Sequence, residues 1–584
     1  MPGRLVLLFM DVRRTTRLLG CLTSAAALAA SLLATAATDA RAVDPEPVVV
    51  QQDFTTADGV ALRTTLTSQG PVEARPTVVE FSPYGNNSQT FSFGPDYNYL
   101  LVQIRGTGSS RGSFDALGPR TQRDVVEVLE WACAEPFSDG RLALAGFSAS
   151  AIMLFNSWHQ ELPCVEAAVT RSGTHELYRD LLVPGGIQNL LPGAGVLGLI
   201  GAPLVLQGAD RVTDPQSVLD AFSGMFSTGV NAGLAHPSLD AWWQERGWRG
   251  DANDIPVLLI DGFFDVESRG AFEAYRALRD DGAHLLLAGA HDGYPAGTDG
   301  GVAEAKAWLD HHVLGVDNGV ETHPRVQLLM SQGDRIDYLR GDVLRRDAAD
   351  WPVPGTEWVP LNLASDRSLS LTRPAQTSTQ RYATVPSIPT MTDVPNAAIV
   401  GAAGLDLLTG QLPLLNQDTL AGLTGLTYTT GSLGSDVDLA GPLSFEVPLS
   451  TTTPGSGIWV VLSDVAPDGS SHPLTVGRLS TSYPGVAESK SLKDDQGTIV
   501  QPYGDYTNQQ PAKPLQVRDY KVELWPVGNR FEAGHRIRLT IVGTSLASPL
   551  SLPALHSIRV GGPDGARLLV PVLPGSDLPA ALGG

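Results

Sequence analysis

The chain has 584 residues, of which 42% are hydrophobic and 17% charged, and a formal net charge of −22. That composition excludes a long disordered chain, and the acidic balance excludes a surface suited to nucleic acid or anionic lipid. The length suffices for several domains, each with a sizeable core.

Residues 1–42 differ in kind from the rest of the chain. Arg13, Arg14 and Arg17 precede an Ala/Leu-rich run from Leu18 to Ala37, and Ala40-Arg41-Ala42 offers small residues where a signal peptidase reads. The expectation is a secretory signal cleaved after Ala42 and an extracellular or periplasmic protein, exported by the general or the twin-arginine route. The run is too poor in large apolar residues for a retained anchor, so no stable membrane insertion is expected. Cys133 and Cys164 remain after cleavage. In an oxidising compartment an even pair invites a disulfide; the alternative is two buried thiols.

Val48 to Thr67 alternates apolar and polar residues around Asp58-Gly59, a hairpin pattern. Short, wholly apolar runs follow at 76–83, 98–106, 141–147, 165–173, 255–262 and 284–290, as strands buried on both faces require. Helical spacing falls between them at 121–137, 267–282 and 302–315, with Thr121 as the expected cap of the first. Strands alternating with helices imply a mostly parallel sheet covered on both faces.

Between Leu177 and Trp248 the alternation lapses. No charged residue occurs between Asp180 and Asp210, while Asn189, Pro192 and Pro203 break any membrane span, so a helical cap with an apolar underside is expected. Beyond Pro324, Gly, Pro, Ser and Thr punctuate short alternating runs such as 443–450, 458–465, 521–527 and 535–543, the pattern of an antiparallel sandwich. Thr377 to Leu433 reads as a long connection with little regular structure. The resulting scheme is a signal at 1–42, an α/β domain at 43–176 and 249–323, a cap at 177–248 and a β-domain at 324–584.

Gly146-Phe147-Ser148-Ala149-Ser150 lies where an expected strand meets an expected helix. A tight turn there would hold the Ser148 hydroxyl on a strained corner, and it needs small neighbours, which Gly146 and Ser150 supply. A polar turn that happens to contain serine is the plain alternative. A nucleophile needs a base, and the base an orienting acid; on a sheet of this kind they follow in the order Ser, acid, His at the ends of later strands. Asp265 and His291 hold that order, each after an apolar run. Rivals fit less well: Asp261 is too close to its strand, Asp292 adjoins the histidine, Glu267 opens the next helix, His284 begins a strand at the wrong edge, and His311 and His312 sit at a helix end. The backbone N–H of Ala149, just after the nucleophile, would face the oxyanion of a tetrahedral intermediate.

Several blocks then combine: "PTVVEFSPYG" from Pro76, "QIRGTGSSRGSF" from Gln103, "WACAEPFSDGRLALAGFS" from Trp131, "IPVLLIDGFFD" from Ile255 and "AKAWLDHHVLG" from Ala305. With "DVDLAGPLSFEVPLS", "LSDVAPDGSS" and "FEAGHRIRLTI" further on, they resemble, in order, the family containing cocaine esterase, the α-amino acid ester hydrolases, the glutaryl cephalosporin acylases and the Xaa-Pro dipeptidyl-peptidases. The resemblance implies an α/β fold class: an α/β-hydrolase domain with an inserted helical cap, followed by an all-β jelly-roll domain. It also implies a triad of Ser148, Asp265 and His291, with a second oxyanion donor in the Tyr84 hydroxyl and a structural role for the Arg105–Gly112 loop. The chain departs from the family in having Ala149, Ser150 and Ala151 after the nucleophile and a short "GAHDG" block at His291.

These readings point to a secreted serine hydrolase acting through an acyl-enzyme on an ester, with an amide acylase or Xaa-Pro dipeptidyl-peptidase as the alternative. The apolar cap suggests a hydrophobic substrate. No cofactor and no metal are expected: "GTGSSRG" lacks the lysine of a phosphate loop, and zinc-ligand spacings are absent. A different class, a non-catalytic carbohydrate-binding protein built on the β-domain, would require a lost triad member.

Overall fold

The computed structural model describes residues 47–86, 91–189, 235–250, 253–291, 293–333, 335–385, 424–544 and 552–583, together with isolated positions between 216 and 224. The expected signal at 1–42 and most of the expected cap at 177–248 lie outside the described residues.

The first hairpin forms as read: β1 (Val48–Thr55) pairs antiparallel with β2 (Ala61–Ser68), and Gly59 takes the turn with φ +82°. The apolar runs then become β3 (Arg75–Ser82), β4 (Asn98–Gln103), β5 (Ser138–Phe147), β6 (Val165–Arg171), β7 (Val257–Asp261) and β8 (His284–Leu287). Pairings run β1–β2–β4–β3–β5–β6–β7–β8, antiparallel at β1–β2 and β2–β4 and parallel thereafter. Two further strands, β9 (Val326–Ser331), parallel to β8, and β10 (Val343–Ala348), antiparallel to β9, complete this sheet. From sequence both read as the start of the β-domain. Nothing local distinguishes a strand that joins one sheet from a strand that starts another.

Helices cover both faces because alternate residues of each central strand are apolar on opposite sides. On one face Val79, Leu142, Leu144 and Leu259 pack with α1 (Pro119–Ala134), α2 (Ala149–Ser157) and α3 (Ser268–Leu278). On the other, Val78, Ala143, Ala145, Leu258 and Ile260 pack with α4 (Val302–His312) through the buried Ala305, Trp308 and Leu309. Helix α1 starts two residues before the expected cap Thr121. Its N-cap is Gly118, and the Asp115 carboxylate accepts from the N–H groups of Gly118, Arg120 and Thr121 at 3.1, 3.2 and 3.3 Å. The capping oxygen thus comes from the preceding loop and serves the orphan amides of the first turn.

Cys133, near the end of α1, and Cys164, just before β6, are joined in a disulfide with Cα atoms 6.2 Å apart. This crosslink lies at the amino-terminal edge of the sheet, opposite the ends that carry Ser148, Asp265 and His291. In the chain-entropy model a closed loop of this size adds roughly 3 to 4 kcal/mol of stability.

Most of the remaining strands form a two-layered antiparallel jelly-roll, while Leu492–Lys493 and Ile499–Gln501 pair in a separate small sheet. In one layer Val437–Thr451 pairs with Arg518–Phe531 on one side and with Ala554–Val560 and Arg567–Val572 on the other. In the second, Gly457–Val465 lies between Ser471–Ser480 and Arg536–Val542. Within the stretch read as a loose connection, Ser378–Thr384 and Leu426–Thr429 are strands that pair with Ala554–Val560 and Arg536–Val542; 386–423 lie outside the described residues. Among the described residues no helix is long and apolar enough to cross a membrane.

Candidate active site

Five neighbouring parallel strands each end beside the same place. Tyr84 follows β3, Ser148 follows β5, Ser172 follows β6, Asp265 follows β7 and His291 follows β8. In a parallel sheet the carboxyl ends of strands are where loops converge, so residues remote in sequence meet there.

Ser148 stands between β5 and α2 with φ +56° and ψ −126°, a conformation that costs a non-glycine residue about 1–3 kcal/mol. Its own N–H donates to the Arg171 carbonyl at 3.0 Å, and its carbonyl accepts from Ile152 at 2.9 Å, starting the helix. The corner needs glycine at 146, where a Cβ would lie 2.7 Å from the Ala151 nitrogen. Ser150 is buried, and its hydroxyl donates to Glu80 at 3.1 Å. Tyr84 faces the corner: its hydroxyl accepts from the Ala149 N–H at 3.1 Å. Desolvation pushes the Tyr84 phenol up to about 12, so it keeps its proton throughout the working range.

Asp265 is fully buried and accepts from three donors, the His291 N–H at 2.6 Å, the Ser172 hydroxyl at 2.8 Å and the Glu267 N–H at 3.0 Å, and the His291 Nδ1 lies 3.2 Å from the same carboxylate. Burial works to raise its carboxyl, but the charge and hydrogen bond of His291, with the Glu267 and Ser172 bonds, hold it below the ordinary range. The His291 ring lies 4.5 Å, centre to centre, from Phe147, the residue before Ser148. Ser148, Ala149 and Tyr84 therefore form one contact group and Asp265 and His291 another, and Phe147 and the 171–172 corner join the two. Of the rivals, His284 begins β8, His311 and His312 end α4, and Asp292 lies outside the described residues.

Two residues at this place were not anticipated. Ser172, buried, has its hydroxyl 2.6 Å from His291 Nδ1. Glu267 does precede α3, as read, but its side chain makes no capping bond; it is buried, and its Oε2 has no hydrogen-bond partner among the described residues. Burial pushes the Glu267 carboxyl up to about 8, with the Asp265 and Asp180 charges adding to the rise and His291 opposing it. A carboxyl at two residues' distance from the acid is the signal in the sequence, but a helix-opening Glu is commonplace and nothing local marks this one as buried. Further along α3, Arg269 forms ion pairs with Asp180 and with Glu523 of the β-domain, the second at 2.8 Å. In the Arg105 loop the guanidinium pairs with the buried Asp124, which fits the structural role expected of it.

Because its carboxyl is neutral at pH 7, Glu267 has a consequence for stability. A group whose pKa is raised on folding adds stability in acid that is lost as the pH climbs through its folded value. The native chain should therefore lose stability from about pH 4.5 to about 8 relative to Glu267→Gln, whose amide stays neutral. Urea midpoints of the two proteins across that range check this.

A parallel sheet of this strand order, with a strained serine corner and a buried aspartate paired with a histidine at its carboxyl edge, defines an α/β hydrolase. Comparison with known proteins agrees. Residues 58–293 match the model of the X-Pro dipeptidyl-peptidase (S15) family, and 318–556 match that of the X-Pro dipeptidyl-peptidase C-terminal non-catalytic domain. The cocaine esterase of a Rhodococcus species is 21% identical over 492 residues, covering 76% of this chain and 80% of its own. Two solved structures superpose with a TM-score of 0.70: a CocE/NonD family hydrolase from Staphylococcus aureus, at 17% identity with 90% of this chain and 93% of that one covered, and an aminopeptidase from a Thaumarchaeota archaeon, at 18% with 92% and 99% covered. The chain belongs to the family of cocaine esterase and the X-Pro dipeptidyl-peptidases, and it is a serine hydrolase.

Proposed function

We propose that the chain is a secreted esterase in which Ser148 is the nucleophile, His291 the general base, Asp265 its orienting acid, and the Tyr84 hydroxyl with the Ala149 N–H the oxyanion donors. The single observation that carries this reading is the convergence of these residues at the ends of neighbouring strands, with the serine on a strained corner. His291 Nε2 takes the Ser148 proton as the oxygen attacks the ester carbonyl; the carbonyl oxygen gains charge and turns to Tyr84 and Ala149. Collapse expels the alcohol with the proton from His291, and water repeats the sequence to free the acid. Substrates are small esters or short peptides, and the uncharged run after Asp180 favours a hydrophobic one. Export rests on the basic and apolar amino-terminal segment, and the disulfide suits an oxidising compartment.

Glu267 favours a second reading. A buried carboxyl with an unpartnered oxygen beside the reacting group would be ionised and satisfied by a substrate ammonium, which is what an amino-terminal dipeptidyl-peptidase or an amino acid esterase must hold. A p-nitrophenyl ester of a simple fatty acid, compared with Gly-Pro p-nitroanilide, separates the two. The first reading expects the higher kcat/KM on the ester, and a higher value on the anilide reverses the order.

A further inference from the structure

Ser172 follows β6 with φ +49°, in the left-handed region that side chains avoid. Its N–H donates to the Ile260 carbonyl of β7 at 2.8 Å, so the corner is pinned to the strand that leads to Asp265. The residue before it, Arg171, accepts from the Ser148 N–H through its carbonyl. The Arg171 guanidinium lies 4.6 Å from the ring centres of both Phe147 and Tyr294, the first in tilted contact with the His291 ring and the second three residues beyond it.

The hydroxyl has one consistent arrangement. An ionised Asp265 only accepts, so at 2.8 Å the Ser172 O–H must donate to it. The oxygen then presents its lone pairs to His291 Nδ1 at 2.6 Å, and that nitrogen must carry a hydrogen. The direct distance between Nδ1 and the carboxylate is longer, 3.2 Å. The short polar path from imidazole to carboxylate therefore runs through the serine.

We propose that Ser172 is a positioning residue that bridges His291 to Asp265 and fixes the hydrogen on Nδ1, so that Nε2 carries none and serves as the base. This rests on the serine-hydrolase mechanism given above. Among the described residues, His291 meets Asp265 and Ser172 at Nδ1 and Phe147 on its ring, and the charge of Glu267 acts on it. When His291 becomes an imidazolium, its Nδ1–H bond to Ser172 is charge-assisted and relays the Asp265 charge. The bond strengthens as the base takes its proton, so its loss lowers kcat more than it raises KM.

A residue kept only for the left-handed turn would be served best by glycine, and that separates the two roles. In the full chain, Ser172→Gly and Ser172→Ala are expected to lower kcat on a p-nitrophenyl ester by roughly ten- to a hundredfold, with KM changed by less than about twofold. The limb of the kcat/KM profile set by His291 should move to lower pH, because the charged form loses a hydrogen bond. Glycine, which accepts φ +49° without strain, keeps the test valid if the alanine variant folds poorly. A Ser172→Gly protein with the kcat of the parent, or with a limb that stays or rises, overturns the bridge and leaves the hydrolase mechanism standing. A parent chain that neither hydrolyses the ester nor takes a fluorophosphonate label on Ser148 overturns the mechanism, and the bridge with it.

Discussion

Ser148→Ala should lower kcat on a p-nitrophenyl ester by about 10⁴- to 10⁶-fold and abolish labelling by a fluorophosphonate probe. The size follows from the role. The hydroxyl is the atom that forms the covalent bond, so without it only the oxyanion donors and binding remain to speed attack by water. The strain at the corner sharpens the prediction: φ +56° costs alanine as it costs serine, and the fold, held there by the Arg171 carbonyl and by Gly146, is kept. Circular dichroism and urea midpoints close to those of the parent are therefore expected beside the lost turnover. Equal labelling of parent and variant would sink the assignment of the nucleophile, and no labelling of either would favour the carbohydrate-binding alternative.

The second largest effect is expected at Tyr84. Tyr84→Phe should cost about 10²- to 10³-fold in kcat with a small change in KM, as expected for a donor that acts on the charge formed in the transition state. The ring stays and only the oxygen goes, so packing against the serine corner is preserved. The free site already pairs the two donors, since the Ala149 N–H is bonded to the Tyr84 oxygen at 3.1 Å. A substrate oxygen has to replace that bond, taking the Ala149 N–H and the phenolic hydrogen together. Because the phenol titrates near 12, no loss of this contribution is expected below about pH 11. Steady-state kinetics of parent and variant across pH 6–11 check both points, and a KM effect without a kcat effect would make Tyr84 a binding residue only.

Much of the fold is legible in the sequence because its physical signals are local. Strands buried on both faces must be apolar throughout, so the runs ending at Ser82, Phe147, Arg171, Asp261 and Leu287 stand out. Helix periodicity marks α1, α3 and α4 to within a few residues. What escapes is decided between segments. Thr121 looks like a cap, but Asp115 reaches the same amides from a loop. The strands β9 and β10 look like sandwich strands, and their assignment depends on which edge they meet.

The site divides in the same way. By itself the sequence determined the chemistry available: a serine on a small-residue corner, an acid and a histidine in hydrolase order after later strands, a tyrosine after an earlier one, and two cysteines flanking the same β-strand. Only the tertiary structure decided the partners. Ser172 lies 93 residues from Asp265 and 119 from His291 along the chain, and nothing near "VTRSG" marks its hydroxyl as their bridge. Glu267 is an ordinary helix-opening residue in sequence, and burial beside Asp265 and Asp180 is what keeps its proton on at pH 7. The reason is common to both: apolar periodicity is written residue by residue, whereas a hydrogen-bond partner and the loss of solvent exist only once distant segments have packed.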